Sequence, residues 1–439
     1  MRITCSLATL LLSFFSLGQP LLISGNVSIS MKEGSLKSTF MISKILRQAG
    51  DLRFLLHEDI EVLEVKLNEK VVIYEKKRTE CFDCQEYLIK VNQISTTDKL
   101  SISTNMHFKN YDKGYKKDYQ GKIISNFGIL RASEQSKWYP MIVSNTSTQP
   151  LVLSKTLYDY DLHVDCKDCK QIYVGQGSPK KSGQFKGEQA LEAIVLIAGD
   201  FGSKKTDFAH YINVGNEQSR KELDGLFEKI ILFYEAFTGF ELPTNFVYAQ
   251  LPSANKDWGG FTSYPTIVNV SKTIEKEKLP AYLSHEVAHY LFGDVYKPAG
   301  PLYWFYLESF AEYMSYKYML SVDQELIRED YEKLAGEIDF VRLDQVNSYE
   351  EVTSQHRYTT GAFQLLAINR RIGDEKILEL IDRIFETLTE EANGYQVLIQ
   401  SMQDIGIKEK EITSIEKELI QSFDLNQYEF VARSFARPD

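Results

Sequence analysis

The sequence predicts an α+β protein of two domains, a β domain followed by a domain of strands and helices. The chain of 439 residues is too long for one ordinary hydrophobic core. Apolar and polar residues alternate, between frequent turn residues, from about residue 26 to residue 200. Beyond residue 203 the apolar residues follow helical spacing. We therefore expect residues 26–203 to form an antiparallel β-sandwich or saddle and residues 204–439 to form a second domain.

The composition is typical of globular proteins and argues against nucleic acid as a partner. Hydrophobic residues make up 43% of the chain and charged residues 25%, the usual balance of a folded domain. The formal net charge of −11 would repel a phosphate backbone. The basic stretch KGYKKDY (113–119) is short and mixed, so we interpret it as a solvated loop.

The first 25 residues are interpreted as a secretory signal peptide. Arg2 precedes an apolar run from Ile3 to Leu17, and Gly18-Gln19-Pro20 ends that run. The run is short for a membrane span. We expect an exported protein, whether periplasmic, extracellular or at the cell surface. The alternative is an uncleaved anchor that uses Leu21–Ile23 as an extension, and only in that case would the chain contact a membrane.

Four cysteines form two C-x-x-C pairs, Cys81 with Cys84 and Cys166 with Cys169. Disulfides are expected in an exported protein, and we predict closure within each pair. Cross-pairing and a structural zinc site are the alternatives. Zinc sites of this type usually have their pairs about 15–20 residues apart, whereas these pairs are roughly 80 apart.

The first domain is predicted from alternating segments. IEVLEVKLNEKVVIYE (60–75) alternates and turns at Asn68-Glu69, which predicts a hairpin. KLSISTNMHF (99–108), DLHVDCKDCKQIYVG (161–175) and ALEAIVLIAGDFG (190–202) continue the pattern.

The second domain begins with a predicted helix that Gly239 closes. Its apolar face comprises Leu223, Phe227, Ile230, Ile231, Tyr234 and Phe237. A strand, NFVYAQLP (245–252), follows, and then a Gly-Gly segment. EKILELIDRIFETL (375–388) has the spacing of a later amphipathic helix.

An H-E-x-x-H motif stands at residues 285–289, in the helix that follows the Gly-Gly segment. Positions four apart lie on one face of a helix, so His285 and His289 can offer two imidazoles to one ion. Glu286 projects beside them. Zinc acidifies a water and the glutamate takes its proton, so the arrangement suits a zinc hydrolase. The alternative is a pair of core or surface histidines.

Glu308 is the predicted third ligand. Eighteen residues separate it from His289, and it lies in the mostly apolar segment WFYLESFAEYM (304–314). A carboxylate in a buried segment needs a partner. Two histidines and a glutamate, with water as fourth ligand, make a catalytic zinc site. An ordinary salt bridge is the alternative for Glu308.

These motifs resemble those of the aminopeptidase N-like gluzincins. HEVAHYLFGD (285–294) is similar to that family's H-E-x-x-H-x-W-F-G-[ND], and WFYLESFAEY (304–313) is similar to W-L-N-E-G-F-A-x-Y. GGFTSYPTIVNV (259–270) stands at the place of the G-[AG]-M-E-N strand, and YTTGA (358–362) resembles Y-x-K-G-A. The resemblance stops where the family's catalytic domain ends, so the usual C-terminal helical domain is not expected. It implies a saddle domain followed by a thermolysin-like domain with a mixed sheet.

The resemblance also implies residue roles. One catalytic Zn²⁺ would be held by His285, His289 and Glu308, with Glu286 as general base and then proton donor. Tyr358 would stabilise the oxyanion. The residues expected to bind the substrate along a strand edge are Gly259, Gly260, Phe261 and Thr262.

The chain departs from the family pattern at one functional position. The family's G-x-M-E-N glutamate grips the substrate's free α-amino group, and residues 259–264 contain no acid. A neutral acceptor makes a weaker bond to an ammonium group. Asp257, Glu134 and Glu312 are candidate replacements, although Glu312 is expected rather to orient a ligand histidine or to be simply solvated.

The leading hypothesis is an exported zinc metallopeptidase that acts on peptide or protein substrates. Both an aminopeptidase and a peptidase indifferent to the free amine stay open. A non-catalytic peptide-binding or surface-binding protein on the same scaffold is the first alternative, and a zinc hydrolase acting on a non-peptide bond such as an epoxide is the second. No oligomeric state follows from the sequence.

Overall fold

A computed structural model gives the fold of most of the chain. The residues it describes are 21–45, 48–77, 83–112, 123–143, 158–175, 177–187, 193–252, 259–270, 278–322, 340–389 and 391–422. The predicted signal segment up to residue 20, the KGYKKDY stretch, Cys81 and Asp257 lie outside these described residues.

The chain divides into two compact units. The first unit comprises Met1–Lys204 and Val247–Lys272, and the second comprises Lys205–Phe246 and Thr273–Asp439. The first unit therefore consists of two separate stretches of sequence, and the domain bounds 26–203 and 204–439 stay a prediction.

Side-chain and backbone contacts explain why the later stretch belongs to the first unit. The hydroxyls of Tyr173 and Thr266 are 2.7 Å apart and hydrogen-bond within the core. The backbone N–H of Ala193 donates to the carbonyl of Tyr264 at 2.9 Å. Local sequence patterns carry no signal of such distant pairings.

The strands are short and numerous, as the alternating segments predicted. In chain order they are β1 (Leu21–Ser30), β2 (Ser35–Ser43), β3 (Gln48–Ala49), β4 (Leu52–His57), β5 (Ile60–Leu67), β6 (Lys70–Val71), β7 (Tyr74–Lys77), β8 (Cys84–Ile89), β9 (Gln93–Ile94), β10 (Leu100–His107), β11 (Asn110–Tyr111), β12 (Ile124–Asn126), β13 (Ile129–Ala132), β14 (Met141–Val143), β15 (Tyr158–Cys166), β16 (Gln171–Val174), β17 (Ser182–Gly187), β18 (Leu196–Gly199), β19 (Ser203–Lys205), β20 (Ala209–Ile212), β21 (Phe246–Gln250), β22 (Gly260–Ser263) and β23 (Thr266–Asn269).

The first unit contains a seven-stranded sheet in the order β17-β15-β1-β2-β10-β5-β6. A five-stranded sheet (β11-β12-β13-β18-β16), a four-stranded sheet (β14-β4-β8-β7) and the pair β3-β9 accompany it. Most ladders are antiparallel, as predicted, but β1 pairs with β15 in parallel and β11 with β12 in parallel. Parallel neighbours need a long crossover, and strands β2–β14 lie between β1 and β15 in the chain.

The predicted hairpin at Asn68-Glu69 is confirmed. Strands β5 and β6 pair next to the turn through Leu67 and Lys70. Asn68 and Glu69 have φ angles of 49° and 64°, as a two-residue turn of the I′ type requires.

The first strand begins within the segment predicted as a signal peptide. Leu22 to Gly25 lie in β1, and they pair with β2 on one side and β15 on the other. These residues are thus part of the sheet in this structure, and cleavage of the segment stays a prediction. Among the described residues, none of the helices combines the length and the apolar character that crossing a membrane would need.

The predicted closure of the second cysteine pair is confirmed. Cys166 and Cys169 form a disulfide. Neither thiol is therefore free to bind zinc. The other predicted pair includes Cys81, which lies outside the described residues, so its closure stays a prediction.

Strands β21–β23 make the mixed pairing expected of the thermolysin-like part. Strand β23 pairs in parallel with β21 and antiparallel with β22. Together with the helices that follow, this pairing confirms the α+β fold class.

The second unit is mainly helical. Its α-helices among the described residues are α1 (Glu217–Thr238), α2 (Leu279–Leu291), α3 (Phe310–Val322), α4 (Gly361–Ile372), α5 (Asp374–Thr387), α6 (Gly394–Asp404) and α7 (Glu409–Ile415). Asn216 caps the start of α1 by accepting from Ser219 N at 2.8 Å, and Gly239 ends it at φ 74°. The predicted helix and its closing glycine are confirmed.

Helix α2 carries the H-E-x-x-H motif and is anchored on its apolar side. Leu283, Val287 and Leu291 are buried at a spacing of four residues. The Tyr234 hydroxyl of α1 donates to the carbonyl of Ser284 at 2.8 Å. The motif histidines are thereby held on a packed helix rather than on a loop.

Candidate metal centre

The Nε2 atoms of the two motif histidines lie close together. The Nε2 atoms of His285 and His289 are 3.1 Å apart, and the ring centroids are 4.7 Å apart. Their side chains are 11% and 13% exposed, so little water surrounds them. The helical spacing of four residues produces this convergence, as the sequence predicted.

Glu308 completes a triangle with these nitrogens. It lies on a π-helical turn, Phe305–Ser309, that leads directly into α3. Its Oε2 atom is 3.4 Å from His285 Nε2 and 3.3 Å from His289 Nε2. The three side chains are thus a group that could hold a metal ion.

The spacing of the triangle fits a tetrahedral zinc ion. With bonds of about 2.0–2.1 Å, two ligand atoms of a tetrahedral site lie roughly 3.3 Å apart. The three separations here are 3.1, 3.3 and 3.4 Å. Glu308 Oε2 is buried and no hydrogen bond satisfies it. Two imidazoles and one carboxylate are also a donor set that leaves one position open, as catalytic zinc sites do.

The Nδ1 atoms of the two imidazoles face other groups, through an ion-pair contact at His285 and a hydrogen bond at His289. His285 Nδ1 is 2.6 Å from Glu312 Oε2. His289 Nδ1 donates to the backbone carbonyl of Phe292, at 3.2 Å. These contacts leave each Nε2 available toward Glu308. Glu312 thus has the orienting contact that we expected of it.

The charges within the triangle shift the titration of its members. Burial lowers the pKa of His285, but contacts with Glu308 and Glu312 outweigh burial and leave that pKa well above its ordinary value. Burial also lowers the pKa of His289, but the Glu308 charge outweighs burial, so the net shift is upward. Burial raises the pKa of the Glu308 carboxyl, but His289 and His285 outweigh it, so the net shift is downward.

Glu286 and Tyr358, the predicted catalytic residues, lie in the same unit. Glu286 is 5% exposed, and its charge acts on both imidazoles and on Tyr358. The rings of Tyr358 and His285 have centroids 5.9 Å apart. Although 42% of Tyr358 is exposed, desolvation and the charges of Glu308 and Glu286 raise its pKa well above 10. Its phenol is therefore neutral and able to donate a hydrogen bond.

A hydrogen bond joins the two turns that carry Glu308 and Tyr358. Tyr358 lies on a second π-helical turn, His356–Thr360, which leads into α4. The hydroxyl of the fully buried Ser309 donates to the carbonyl of Arg357 at 2.9 Å. Gly361 makes this approach possible, because a Cβ there would lie 2.2 Å from Ser309 Oγ. In the sequence, Ser309 stands where the W-L-N-E-G-F-A-x-Y motif that this segment resembles has its glycine.

Replacing Gly361 by alanine is expected to destabilise the protein by about 1–3 kcal/mol, the usual cost of overpacking. The additional Ser309→Gly change removes the clashing side chain, so the double variant should recover stability relative to the sum of the single changes. Thermal unfolding of the four proteins measures this coupling. Gly225→Ala is the control, since nothing lies within 4 Å of its added Cβ. Additive effects of the two changes would contradict the contact.

The predicted substrate-binding residues belong to the first unit. Strand β22 contains Gly260, Phe261 and Thr262, and its antiparallel partner is β23. Gly260 has a φ of 151°, a conformation that favours glycine independently of any ligand. The substrate-binding role of this stretch stays a prediction.

The candidate replacement acids fall in different places. Glu134 is 4% exposed, and its Oε1 accepts from the Ser263 hydroxyl at 2.7 Å. Glu312 is committed to His285. Asp257 lies outside the described residues. The role of any of them in binding an amine stays a prediction.

Comparison with known proteins gives matches only among solved structures. No protein-family model and no curated protein sequence matches the chain, whereas 145 chains of solved structures do. Native yeast LTA4 hydrolase matches at 14% identity with a TM-score of 0.66, over 96% of this chain and 69% of its own. A mutant M1 zinc metallopeptidase from Deinococcus radiodurans, bound to a Tyr-Ser-Ala substrate, matches at 13% identity with a TM-score of 0.67, over 92% of this chain and 95% of its own.

These matches define the class of fold. The chain has the fold of the M1 zinc metallopeptidases, the aminopeptidase N-like group that its motifs resemble. A mutant two-domain M1 zinc metallopeptidase bound to L-arginine matches at 14% identity with a TM-score of 0.67, over 93% of this chain and 96% of its own. At this identity the likeness is one of fold, and it gives the protein a peptidase-like scaffold.

Proposed function

We propose that the protein is an exported zinc metallopeptidase that hydrolyses peptide bonds in peptide or protein substrates. The observation that carries the proposal is the donor triangle of His285, His289 and Glu308, with separations of 3.1–3.4 Å, beside the buried Glu286. A binding protein has no need of a base next to three metal ligands. Export is supported by the N-terminal sequence and agrees with the Cys166–Cys169 disulfide.

In the proposed mechanism Glu286 transfers a proton from the attacking water to the leaving amine. Zinc, when bound, supplies a Lewis acid that polarises the scissile carbonyl and acidifies water. The Glu286 carboxylate accepts the proton of the attacking water and then delivers it to the leaving amine. Glu312 and the carbonyl of Phe292 keep the imidazoles of His285 and His289 fixed while the proton moves.

Tyr358 is proposed to stabilise the developing oxyanion. Its raised pKa keeps the hydroxyl protonated, so it can donate to the carbonyl oxygen as negative charge accumulates there. The contact between Ser309 and the Arg357 carbonyl holds the turn that carries this tyrosine beside the turn that carries Glu308. A preplaced donor of this kind needs no reorganisation during the reaction.

The test is cleavage of a mixed peptide pool by the purified protein, read by mass spectrometry, together with its zinc content. We expect one zinc per chain, cleavage of peptide bonds, and loss of cleavage on chelation that added zinc restores. Protein that holds no zinc and cleaves no peptide would instead support the binding-protein alternative.

One further comparison separates the two versions of the proposal. The same peptide is supplied with a free and with an acetylated N-terminus. An aminopeptidase would cleave only the free form, whereas a peptidase indifferent to the amine would cleave both. The absence of an acid in residues 259–264 favours the second result.

A further inference from the structure

The residue before Tyr358 presents a positive charge next to the candidate metal centre. Arg357 is half-buried, and two contacts hold its side chain. Its guanidinium carbon lies 4.5 Å from the ring centroid of Trp304, and its Nε donates to the carbonyl of Val352 at 2.7 Å. Stacking on one side and a hydrogen bond on the other define the direction of the guanidinium.

No carboxylate within the described part of the chain pairs with Arg357. Two other partly buried arginines behave differently, because Arg53 pairs with Glu86 and Arg371 pairs with Glu418. The cation–π contact with Trp304 offsets only part of the cost of burying a charge. Arg357 is thus a partly desolvated cation without an anionic partner in the described residues.

The donors of Arg357 are also incompletely used. Nε is engaged with the Val352 carbonyl. Neither Nη nitrogen donates a hydrogen bond to any residue in the ranges that the structure describes. A guanidinium with both Nη groups available matches the two oxygens of a carboxylate.

The turn that carries Arg357 contacts the candidate metal centre. Arg357 directly precedes Tyr358 on the turn His356–Thr360, and its backbone carbonyl accepts from the hydroxyl of Ser309, the residue after Glu308, at 2.9 Å. The centroids of the Tyr358 and His285 rings are 5.9 Å apart. A group bound by Arg357 would therefore lie close to the candidate metal centre. The carboxylate oxygens of Glu308 lie more than 4 Å from the guanidinium nitrogens of Arg357, so these two groups form no ion pair.

We propose that Arg357 forms an anion subsite that binds a carboxylate of the peptide substrate. The carboxylate could belong to an acidic side chain or to the C-terminus of a short peptide. The proposal rests on the proposed peptidase function and specifies its substrate class. Trp304 and the Val352 carbonyl are the groups that position the guanidinium.

The test uses four versions of one cleavable peptide, with glutamate or glutamine at one side-chain position and with a C-terminal acid or amide. KM and kcat are measured for the wild type, Arg357→Gln and Arg357→Lys. We expect Arg357→Gln to raise KM for carboxylate-bearing peptides by about 10–100-fold, with kcat and the fully neutral peptide little changed. Arg357→Lys should recover part of the loss. If Arg357→Gln raises KM only for the peptides with glutamate, the carboxylate is that of the side chain. If it raises KM only for the peptides with a C-terminal acid, the carboxylate is that of the C-terminus.

Arg220→Gln is the matched control. Arg220 also donates to a backbone carbonyl, that of Val214 at 3.0 Å, and it lies in the same unit. Its loss removes the same charge and should leave all four KM values unchanged. An equal effect of Arg357→Gln on all four peptides, or a fall in kcat alone, would show a structural role and overturn the proposal.

Equilibrium binding separates failure of the subsite from failure of the peptidase function. Calorimetry with the same four peptides measures affinity without turnover. If the wild type cleaves none of the peptides, the proposed peptidase function fails. The subsite would still be supported if the wild type binds the carboxylate peptides more tightly than the neutral one, and if Arg357→Gln weakens this preference more than Arg357→Lys does. Equal affinities of the wild type for charged and neutral peptides would overturn it.

Discussion

Glu286→Gln is expected to reduce peptide hydrolysis by roughly 10²–10⁴-fold while leaving zinc bound, because it removes only the proton acceptor. The amide keeps the size of the side chain, and Glu286 is not a member of the donor triangle. The loss should therefore appear in kcat with zinc content unchanged. Single-turnover hydrolysis and elemental analysis of the same preparations measure both quantities.

A control separates this effect from a general loss of charge. Glu228 is exposed on α1, and Glu228→Gln makes the same chemical change away from the triangle. Its activity should equal that of the wild type. Retention of full activity by Glu286→Gln, with zinc bound, would remove Glu286 from the mechanism.

Replacing Glu308 by glutamine is expected to release zinc from the protein. The variant loses the only anionic donor of the triangle, and a neutral amide is a poor substitute. We expect its zinc affinity to fall by more than the roughly 10–100-fold that loss of an outer contact costs. Activity should fall in parallel and recover only at high zinc concentration.

Glu312→Gln supplies the comparison for this result. It makes the same chemical change four residues later, at the group that contacts His285 Nδ1 rather than at the triangle. Zinc titration against a chromogenic chelator, with thermal unfolding of each variant, ranks the two losses. Equal affinities of the two variants, both folded, would contradict the assignment of Glu308 as a ligand.

Local chemistry made much of this structure predictable. The hairpin at Asn68-Glu69 follows from alternation and turn residues, and α1 follows from its apolar stripe and Gly239. The i, i+4 spacing of His285 and His289 leads directly to their common face. Each of these features depends on residues close together in sequence, where backbone geometry leaves few options.

Other features depend on packing between distant segments. The π-helical turns that carry Glu308 and Tyr358 lie where the Ser309 hydroxyl contacts the carbonyls of His356 and Arg357, close to Gly361. Likewise, Arg357 stacks on Trp304, which is remote from it in sequence. Helical periodicity contains no information about either contact.

The amino-acid sequence by itself determined which groups this protein can bring to a metal, two imidazoles and a carboxylate with a second glutamate beside them. It determined this because ligand chemistry resides in side-chain type and short-range spacing. Only the tertiary structure decided that three atoms from α2 and the turn before α3 converge to within 3.1–3.4 Å. It also decided that Arg357, on the turn of Tyr358, stacks on Trp304 without a carboxylate partner among the described residues. Distances of that kind arise from the packing of helices against one another, which no local pattern encodes.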